Sequence, residues 1–366
     1  MQSIDVEIRT VMPAFLGAAD QASEWRTPPI KALLRQWWRI VRAPACKFDH
    51  VKLREAEADL FGHAWLKAEA ARQSRVRMQL SGAWAGGTLQ NLGTDPKVKH
   101  PEVDKPPDGM VGGKLYLGYG PITFQQGTRI KLPPAIAPGH MVTLRLSFPP
   151  EAAAALIAAL RLMHWFGTIG GRSRNGWGSL ELGGKQEFPN LWSEEARAEL
   201  TKLSRPVQDC LKLDWPHAFG RDDKGLLIWQ TEQIRTVDDV PKALAGTKIG
   251  FRTGLQFDAK RRGQVDRRHL LAYPITNHQV REWNAKKKEG QLDSEGRLAN
   301  QLRFKVARRD GQFVGLIYHL PATLPAQLRA ALDAAGRKFV DDNELSTWQA
   351  VHAELDRKLS RLVANT

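Results

Sequence analysis

Cysteine and long apolar runs are scarce in this sequence of 366 residues. It has only two cysteines, Cys46 and Cys210, and no CxxC or Cys/His cluster, which argues against a structural zinc site. We therefore expect two free thiols, as in a reducing cytosol. The longest apolar run, Ala152 to Leu160, is too short to cross a bilayer, and the N-terminus lacks the basic-then-apolar pattern of a signal peptide. These absences predict a cytoplasmic protein with no membrane partner.

Acidic residues are outnumbered, with 39 Asp and Glu against 54 Lys and Arg and a net charge of +15. This excess predicts a polyanionic partner, nucleic acid first. An anionic membrane surface is the weaker alternative, because the sequence shows no basic amphipathic anchor. Neither an HExxH motif nor an Asp/Glu cluster suited to two metal ions is present, so we expect no metal and no cofactor.

The segment Trp25 to Arg42 predicts the helix around which the chain is organised. Thr27 suits the N-cap, and the following two prolines suit the first turn. Lys31, Arg35 and Arg39 recur every four residues and so share one face. The rest of the helix is apolar: Ile30, Leu33, Leu34, Trp37, Trp38 and Val41. The charged stripe either faces solvent or points from a docked helix at an anion, and the net charge favours the anion.

Alternating and helical patterns give the first half the order β-α-β-β-α-β with additional elements. The predicted strands are 4–15, 74–80, 115–117, 141–148 and 177–182, and the further helices are 53–62 and 152–166. Arg75 and Arg77 share one face of the second strand. Residues 93–113 are expected to form a long surface loop. This order is the ferredoxin-like, RRM-like pattern of RNA-recognition domains, which belongs to the α+β class.

The second half is less regular. A strand is predicted at 226–234, a hairpin at 302–307 and 313–320, and helices at 237–245, 325–334 and 345–363, with basic loops at 258–268 and 281–297. We interpret it as a divergent second copy of the fold with a helical tail. The domain boundary is placed so that an N-terminal domain covers 1–190 and a C-terminal domain covers 191–366.

A glycine-rich loop, Gly167 to Ser179, follows the helix at 152–166. Dinucleotide and P-loop motifs run strand, glycines, helix, whereas here the order is helix, glycines, strand, which disfavours a nucleotide cofactor. The loop's amides, with Arg172 and Arg174, are expected to follow a phosphodiester backbone rather than only face solvent. Trp177 either stacks on a base or fills the core, and its place in a strand favours the core.

Three segments resemble the RAMP superfamily of CRISPR effector subunits, and within it the first RAMP subunit of the Cmr, or type III-B, complex. The matching segments are Thr27 to Arg39 (TPPIKALLRQWWR), Leu60-Phe61-Gly62 with Ser74 to Arg77, and the loop Gly170 to Ser179. A weaker match covers Arg297 to Val306. The paired tryptophans make the first segment the most specific, and the glycine-rich loop is typical of the superfamily as a whole.

The resemblance implies two tandem ferredoxin-like domains with extra helices and long loops, in a subunit that is not itself the nuclease. Such a subunit would sit at the head of the complex beside other Cmr RAMP subunits. It would hold the 3′ region of the crRNA and the single-stranded target RNA in antiviral defence. The residues carried over to the RNA-binding cleft are Lys31, Arg35, Arg39, Arg75, Arg77, Gly170, Gly171, Arg172, Ser173 and Arg174.

An endoribonuclease that processes CRISPR repeat RNA is the alternative, because RAMP relatives include such enzymes. Metal-free RNA cleavage requires a general base, usually histidine. His164, which precedes the glycine-rich loop, is the best single candidate, although a lone histidine on an apolar helix is more often packed. Ser173 and Ser179 lack a His/Asp pattern. We therefore expect no catalytic residue.

Overall fold

The computed structural model describes residues 1–17, 23–64, 71–82, 89–103, 109–131, 134–284 and 296–362. In the first half the elements are β1 (Gln2–Thr10), α1 (Thr27–Arg42), α2 (His50–Phe61), β2 (Arg77–Ser81), β3 (Lys97–Lys99), β4 (Met110–Gly112), α3 (Gly113–Gly118), β5 (Ile122–Phe124), β6 (Thr128–Ile130), β7 (Met141–Phe148), α4 (Ala153–Phe166) and β8 (Leu180–Gly183).

The second half continues the series. Its elements are α5 (Glu194–Lys202), β9 (Ser204–Pro206), α6 (Val207–Cys210), β10 (Phe219–Asp222), β11 (Gly225–Leu226), β12 (Ile228–Gln230), α7 (Val240–Thr253), β13 (Leu302–Arg309), β14 (Gln312–His319), α8 (Ala326–Ala331), α9 (Ala334–Lys358) and β15 (Ser360–Arg361). Short 3-10 turns lie at Pro150–Ala152, Ala259–Arg261, Arg267–Leu270 and Arg281–Trp283.

Each half contains an antiparallel four-stranded sheet with ferredoxin-like connections. The first sheet has the order β2-β7-β1-β8, with α1 between β1 and β2 in the chain and α4 between β7 and β8. The second has the order β13-β14-β12-β15, with α7 and α9 in the equivalent places. This topology confirms the predicted α+β fold of tandem ferredoxin-like units. The boundary at 190/191 stays a prediction.

Helices α1 and α4 lie between the two sheets. On one side they cover the apolar face of the first sheet, including Val6 and Leu144. On the other side Trp37 of α1 and Phe166 of α4 contact Tyr318 of β14, with ring centroids 6.0 Å and 4.9 Å from it. The opposite face of the second sheet packs on α7 and α9. The open sheet face that an isolated ferredoxin-like unit exposes is therefore covered in the second unit.

The outward face of the first sheet is polar in its described strands. Asp5 of β1 and Arg145 of β7 are direct cross-strand partners, and their side chains pair at 2.8 Å. The outward residues of these strands include no aromatic ring. Among the described residues, neither four-stranded sheet therefore offers a platform for base stacking as in RNA-recognition domains.

Several local predictions were wrong. Residues 115–117 belong to helix α3, because the side chain of Asp95 accepts the amides of Lys114 and Leu115 at 2.7 and 3.1 Å. Thr27 is the first residue of α1 rather than its cap. The segment 93–113 contains the β3–β4 hairpin, although 104–108 lie outside the described residues. The last helix begins at Ala334 rather than 345, and the end predicted for it at 363 also lies outside.

Both cysteines are buried and form no disulfide, and burial raises the pKa of the Cys210 thiol to about 12. No helix in the described ranges has the length and apolar character that a bilayer crossing needs. These same residues contain no group of three His, Cys, Asp or Glu side chains placed to hold a metal ion.

Candidate nucleic-acid interface

The predicted cationic stripe of α1 is present, and its members have different partners. Helix α1 buries its tryptophans and leucines against α4 and the second sheet, which leaves the stripe half-buried. Lys31 donates to the carbonyl of Phe61 at 3.1 Å and to the hydroxyl of Ser74 at 3.2 Å. Desolvation, and then the nearby Arg35, lower the pKa of Lys31. Lys31 therefore ties α1 to the end of α2.

Arg35 and Arg39 share one carboxylate. Glu57, buried on α2, accepts from Nε of Arg35 at 2.5 Å, from Nε of Arg39 at 2.6 Å and from Nη2 of Arg39 at 2.7 Å. Its single negative charge fixes two guanidinium groups, each a third or more exposed. Planar guanidinium groups held in this way present their remaining donors in a set direction. Together, Arg35, Arg39 and Glu57 carry one net positive charge.

These two arginines line a cleft of about 560 Å³ that also receives side chains from the other half of the chain. We define the arginine cleft by Arg35, Arg39, Arg174, Arg303 and Glu57. Arg54 of α2 also lines it, and Glu57 is the only carboxylate among the described residues of its wall. This charge balance favours an anionic ligand.

Arg303 is the unusual member of the cleft. It is 7% exposed on β13, and its Nε has no hydrogen-bond partner among the described residues. Burial lowers the pKa of its guanidinium. The pKa of Arg174 falls to about 10, first through desolvation and then through the charge of Arg303. The guanidinium of Arg303 has a side-chain hydrogen bond with Tyr318, but two neighbouring cations are costly unless an anion joins them.

The glycine-rich loop is tightly folded. Gly170 has a φ of +86°, and a Cβ there would lie 2.5 Å from the carbonyl oxygen of Phe15. Gly171 donates its amide to the same oxygen at 2.8 Å, so that amide is not available to a phosphate. A Cβ at Gly178, whose φ is +62°, would overlap the carbonyl oxygen of Ile169. The glycines therefore serve close packing of the loop on the first unit.

The loop also pairs with the second sheet and sends successive side chains to different places. The amide of Phe304 donates to the carbonyl of Arg174 at 3.0 Å. Arg174 enters the arginine cleft, whereas the side chain of Asn175 bonds the carbonyl of Leu117 and Nζ of Lys248 at 2.7 and 2.8 Å. Trp177 is buried at 1% exposure, which confirms the predicted core position, although it lies in a turn before β8 rather than in a strand.

The other residues expected in the cleft lie outside its wall. Arg75 pairs with Glu151 at the start of α4. Arg77 projects from the outward face of the first sheet, opposite Ser147. Arg172 is exposed and packs against Gly120, and Ser173 is half-buried beside it. The structure thus brings together Arg35, Arg39 and Arg174, but not the complete predicted set.

His164 is held in a structural role by its neighbours. Its Nδ1 accepts the amide of Leu182 at 3.0 Å, and its ring stacks on Phe188 at 5.4 Å. Burial, and then the charge of Lys305, lower its pKa to about 3. A base this weak is far from the value that suits general base catalysis near neutral pH.

Sequence reasoning missed two members of the cleft, Arg303 and Glu57. The signal for Arg303 is a basic residue between Leu302 and Phe304 in a strand whose alternate side chains are apolar. Such a cation on a covered sheet face needs a partner. Glu57 gave no signal, because a carboxylate on a charged surface helix is ordinary.

The glycine-rich loop and α1 both lie in a segment that matches a family model. The RAMP superfamily model matches residues 7–181. This part of the chain is similar to the RAMP superfamily. The RAMP match contains α1, Glu57 and the whole glycine-rich loop, whereas Arg303 lies beyond it. The arginine cleft is thus built from the RAMP region and from a C-terminal strand.

Two solved structures resemble the chain over nearly its full length, each with a TM-score of 0.46. One is the crystal structure of apo Cmr1 from Pyrococcus furiosus, which is 16% identical, with 93% of this chain and 97% of that chain covered. The other is a chain of the type III-B Cmr-beta complex bound to cognate target RNA, which is 12% identical, with 96% and 100% covered. No curated protein matches the sequence.

Proposed function

We propose that this chain is a non-catalytic RNA-binding subunit of a type III-B CRISPR effector complex, and that the arginine cleft holds the sugar-phosphate backbone of its RNA. The observation that carries the proposal is the buried, unpartnered Nε of Arg303 beside Arg174. A phosphate between the two guanidinium groups would satisfy that donor and relieve their repulsion. The RAMP match and the motif TPPIKALLRQWWR support RNA as the source of the phosphate.

Backbone contact also fits the division of labour in RNA-guided complexes. The guide reads sequence by base pairing, and the protein contacts backbone and shape. The cleft wall offers guanidinium groups, which recognise phosphate rather than base identity when they lie along a backbone. We expect binding that is independent of sequence, with the 3′ region of the crRNA or the target RNA as ligand and other Cmr RAMP subunits as neighbours.

Repeat-RNA cleavage is the alternative, and the surroundings of His164 disfavour it. A neutral ring whose Nδ1 already accepts a backbone amide, with a pKa near 3, is poorly suited to take a proton from a 2′-hydroxyl. Incubation of the purified protein with CRISPR repeat RNA tests this point. We expect intact RNA, and site-specific cuts that disappear in His164→Ala would contradict the proposal.

The direct test measures single-stranded RNA affinity by fluorescence anisotropy. Arg174→Ala and Arg303→Met should each weaken binding about tenfold, because each removes a charge-assisted contact to phosphate. Arg197→Ala, an exposed arginine on α5 outside the cleft wall, is the control and should bind like the wild type. Folded variants with unchanged affinity would exclude the cleft.

Membership of the complex needs its own experiment. A tagged copy expressed in its host should co-purify with small RNAs that carry repeat-derived sequence and with other RAMP subunits. Sequencing of the bound RNA would show whether crRNA or target is held. Recovery of the chain without RNA and without RAMP partners would contradict the proposed assembly.

A further inference from the structure

A stacked aromatic pair on the second half of the chain ends at the protein surface. The rings of Phe257 and His278 are parallel within 7°, and their centroids are 3.6 Å apart. Phe257 follows α7 and is half-buried, whereas His278 lies in a turn and is exposed. One face of the His278 ring is covered by Phe257, so its exposure lies on the other face and the edge.

The inner end of the stack is anchored. The guanidinium of Arg268 lies over the other face of Phe257, 4.5 Å from the ring centroid. Arg268 is buried and bonds Glu102 through two contacts of 2.6 and 3.0 Å and the carbonyl of Leu255 at 2.9 Å. The order Arg268, Phe257, His278 therefore forms a column with a fixed base.

The outer end is held by its backbone rather than by its ring. The amide of His278 donates to the carbonyl of Ile275 at 3.1 Å, and the carbonyl of His278 accepts from Nε2 of His269 at 3.0 Å. Asn277, just before it, adopts a φ of +63°. These contacts orient the imidazole and leave its outer face open, which is a preorganised stacking surface.

Two clefts of about 760 and 1020 Å³ meet at this column, and both are lined by Phe257, Asn277 and His278. The first cleft is also lined by Arg261, Arg262 and Arg281, and the second cleft is lined by Arg252, Arg268 and Arg357. The carboxylates among their described residues are Asp258, Glu102 and Glu354. Glu102 is paired with Arg268, and Glu354 with Arg357. Arg262 and Arg281 have no ion pair within the described chain.

We propose that the open face of His278 receives a base of single-stranded RNA and that the arginines of the two clefts contact the flanking phosphates. An aromatic surface between cationic grooves is the arrangement with which proteins bind single strands independently of sequence. The basic segment 258–268, predicted to be an exposed loop, supplies one side of it. The two clefts share no described wall residue with the arginine cleft, so this site is separate from the one proposed above.

The test uses a single-stranded RNA of about ten nucleotides with 2-aminopurine at its centre, whose fluorescence falls when the base stacks. Binding to the full chain should quench the signal. His278→Ala should reduce the quenching and weaken affinity about fivefold or more, because one base loses its stacking partner. His278→Phe should keep the wild-type quenching and the wild-type affinity, since it retains an aromatic face. The same comparison in an Arg174→Ala background separates this site from the arginine cleft.

Inorganic polyphosphate, which has charge but no bases, is the second probe. Its affinity should be the same for wild type and His278→Ala. An equal loss for RNA and polyphosphate, quenching unchanged in His278→Ala, or His278→Phe behaving like His278→Ala would each overturn base stacking at this site. Arg197→Ala serves again as the matched surface control, and circular dichroism verifies that every variant is folded.

Discussion

Arg174 and Arg303 enter one cleft from the two halves of the chain, and a backbone hydrogen bond joins the segments that carry them. The amide of Phe304 donates to the carbonyl of Arg174 at 3.0 Å. This bond fixes two like charges side by side, and the charge of Arg303 lowers the pKa of Arg174. Two cations held this close repel each other, so we expect an anion to stabilise the arrangement. Neither half of the chain holds the pair alone.

Replacing Arg303 should separate stability from binding. Arg303→Met removes a buried cation with an unpaired Nε and keeps a similar volume, so the free energy of unfolding should rise by about 1–2 kcal/mol. RNA affinity should fall in the same variant. Urea unfolding and anisotropy measure the two quantities. A variant that is less stable and binds RNA normally would show that Arg303 is a structural residue.

The salt dependence of RNA binding should show whether Arg35 and Arg39 contact phosphates. Each phosphate contact to single-stranded RNA contributes about −0.7 to the slope of log K against log salt. Arg35→Ala with Arg39→Ala should therefore flatten the slope by about 0.7 to 1.4, because both arginines face the cleft while sharing Glu57. Titrations at several salt concentrations give the slope. No change, in a folded protein, would remove α1 from the RNA site.

A methyl group should destabilise the glycine-rich loop but not the strand β8 that follows it. Gly178→Ala introduces a Cβ that overlaps the carbonyl of Ile169 at a positive φ, so we expect a loss of about 2 kcal/mol or more in unfolding free energy. Gly183→Ala on β8 meets nothing within 4 Å and should be nearly neutral. Thermal unfolding compares them. Equal stabilities would mean that the loop relaxes freely.

Lys248 should make stability depend on pH. Burial, and then Arg252 and Arg172, lower its pKa from 10.5 to about 7. Between about pH 7 and 10.5 the unfolded chain binds a proton that the folded chain has released, so stability should rise with pH in this window and be level below it. Lys248→Met should reduce the slope by up to about 1.4 kcal/mol per pH unit. Identical slopes in urea unfolding at pH 7.5 to 9.5 would contradict the lowered pKa.

His164 should matter for stability and not for RNA. In His164→Ala the amide of Leu182 loses its acceptor, which should cost about 1–2 kcal/mol in unfolding free energy. RNA affinity should be unchanged, because the imidazole does not line the arginine cleft. Chemical unfolding and anisotropy test both statements. A large loss of affinity at full stability would place the imidazole in the RNA site.

The sequence predicted correctly those elements that are stabilised by residues close to one another in the chain. The bounds of α1 follow from its prolines and the spacing of its apolar residues, and the β13–β14 hairpin follows from alternation around Asp310-Gly311. Trp177 is buried as predicted, although it lies in a turn before β8 and not in the strand predicted from 177. Helix α3 was missed because its N-terminal amides are satisfied by Asp95, which lies about twenty residues earlier in the chain.

The sequence by itself determined that this chain is basic, that its first half has a ferredoxin-like order of elements, and that one helix carries a stripe of cations. Periodicity and net charge are properties of neighbouring residues, so they can be read without coordinates. Only the tertiary structure decided which cations share a cleft. Pairing of the glycine-rich loop with β13 placed Arg303 beside Arg174, and packing of α2 on α1 placed Glu57 beside Arg35 and Arg39. These contacts join segments that are distant in the chain, so they depend on how the elements pack.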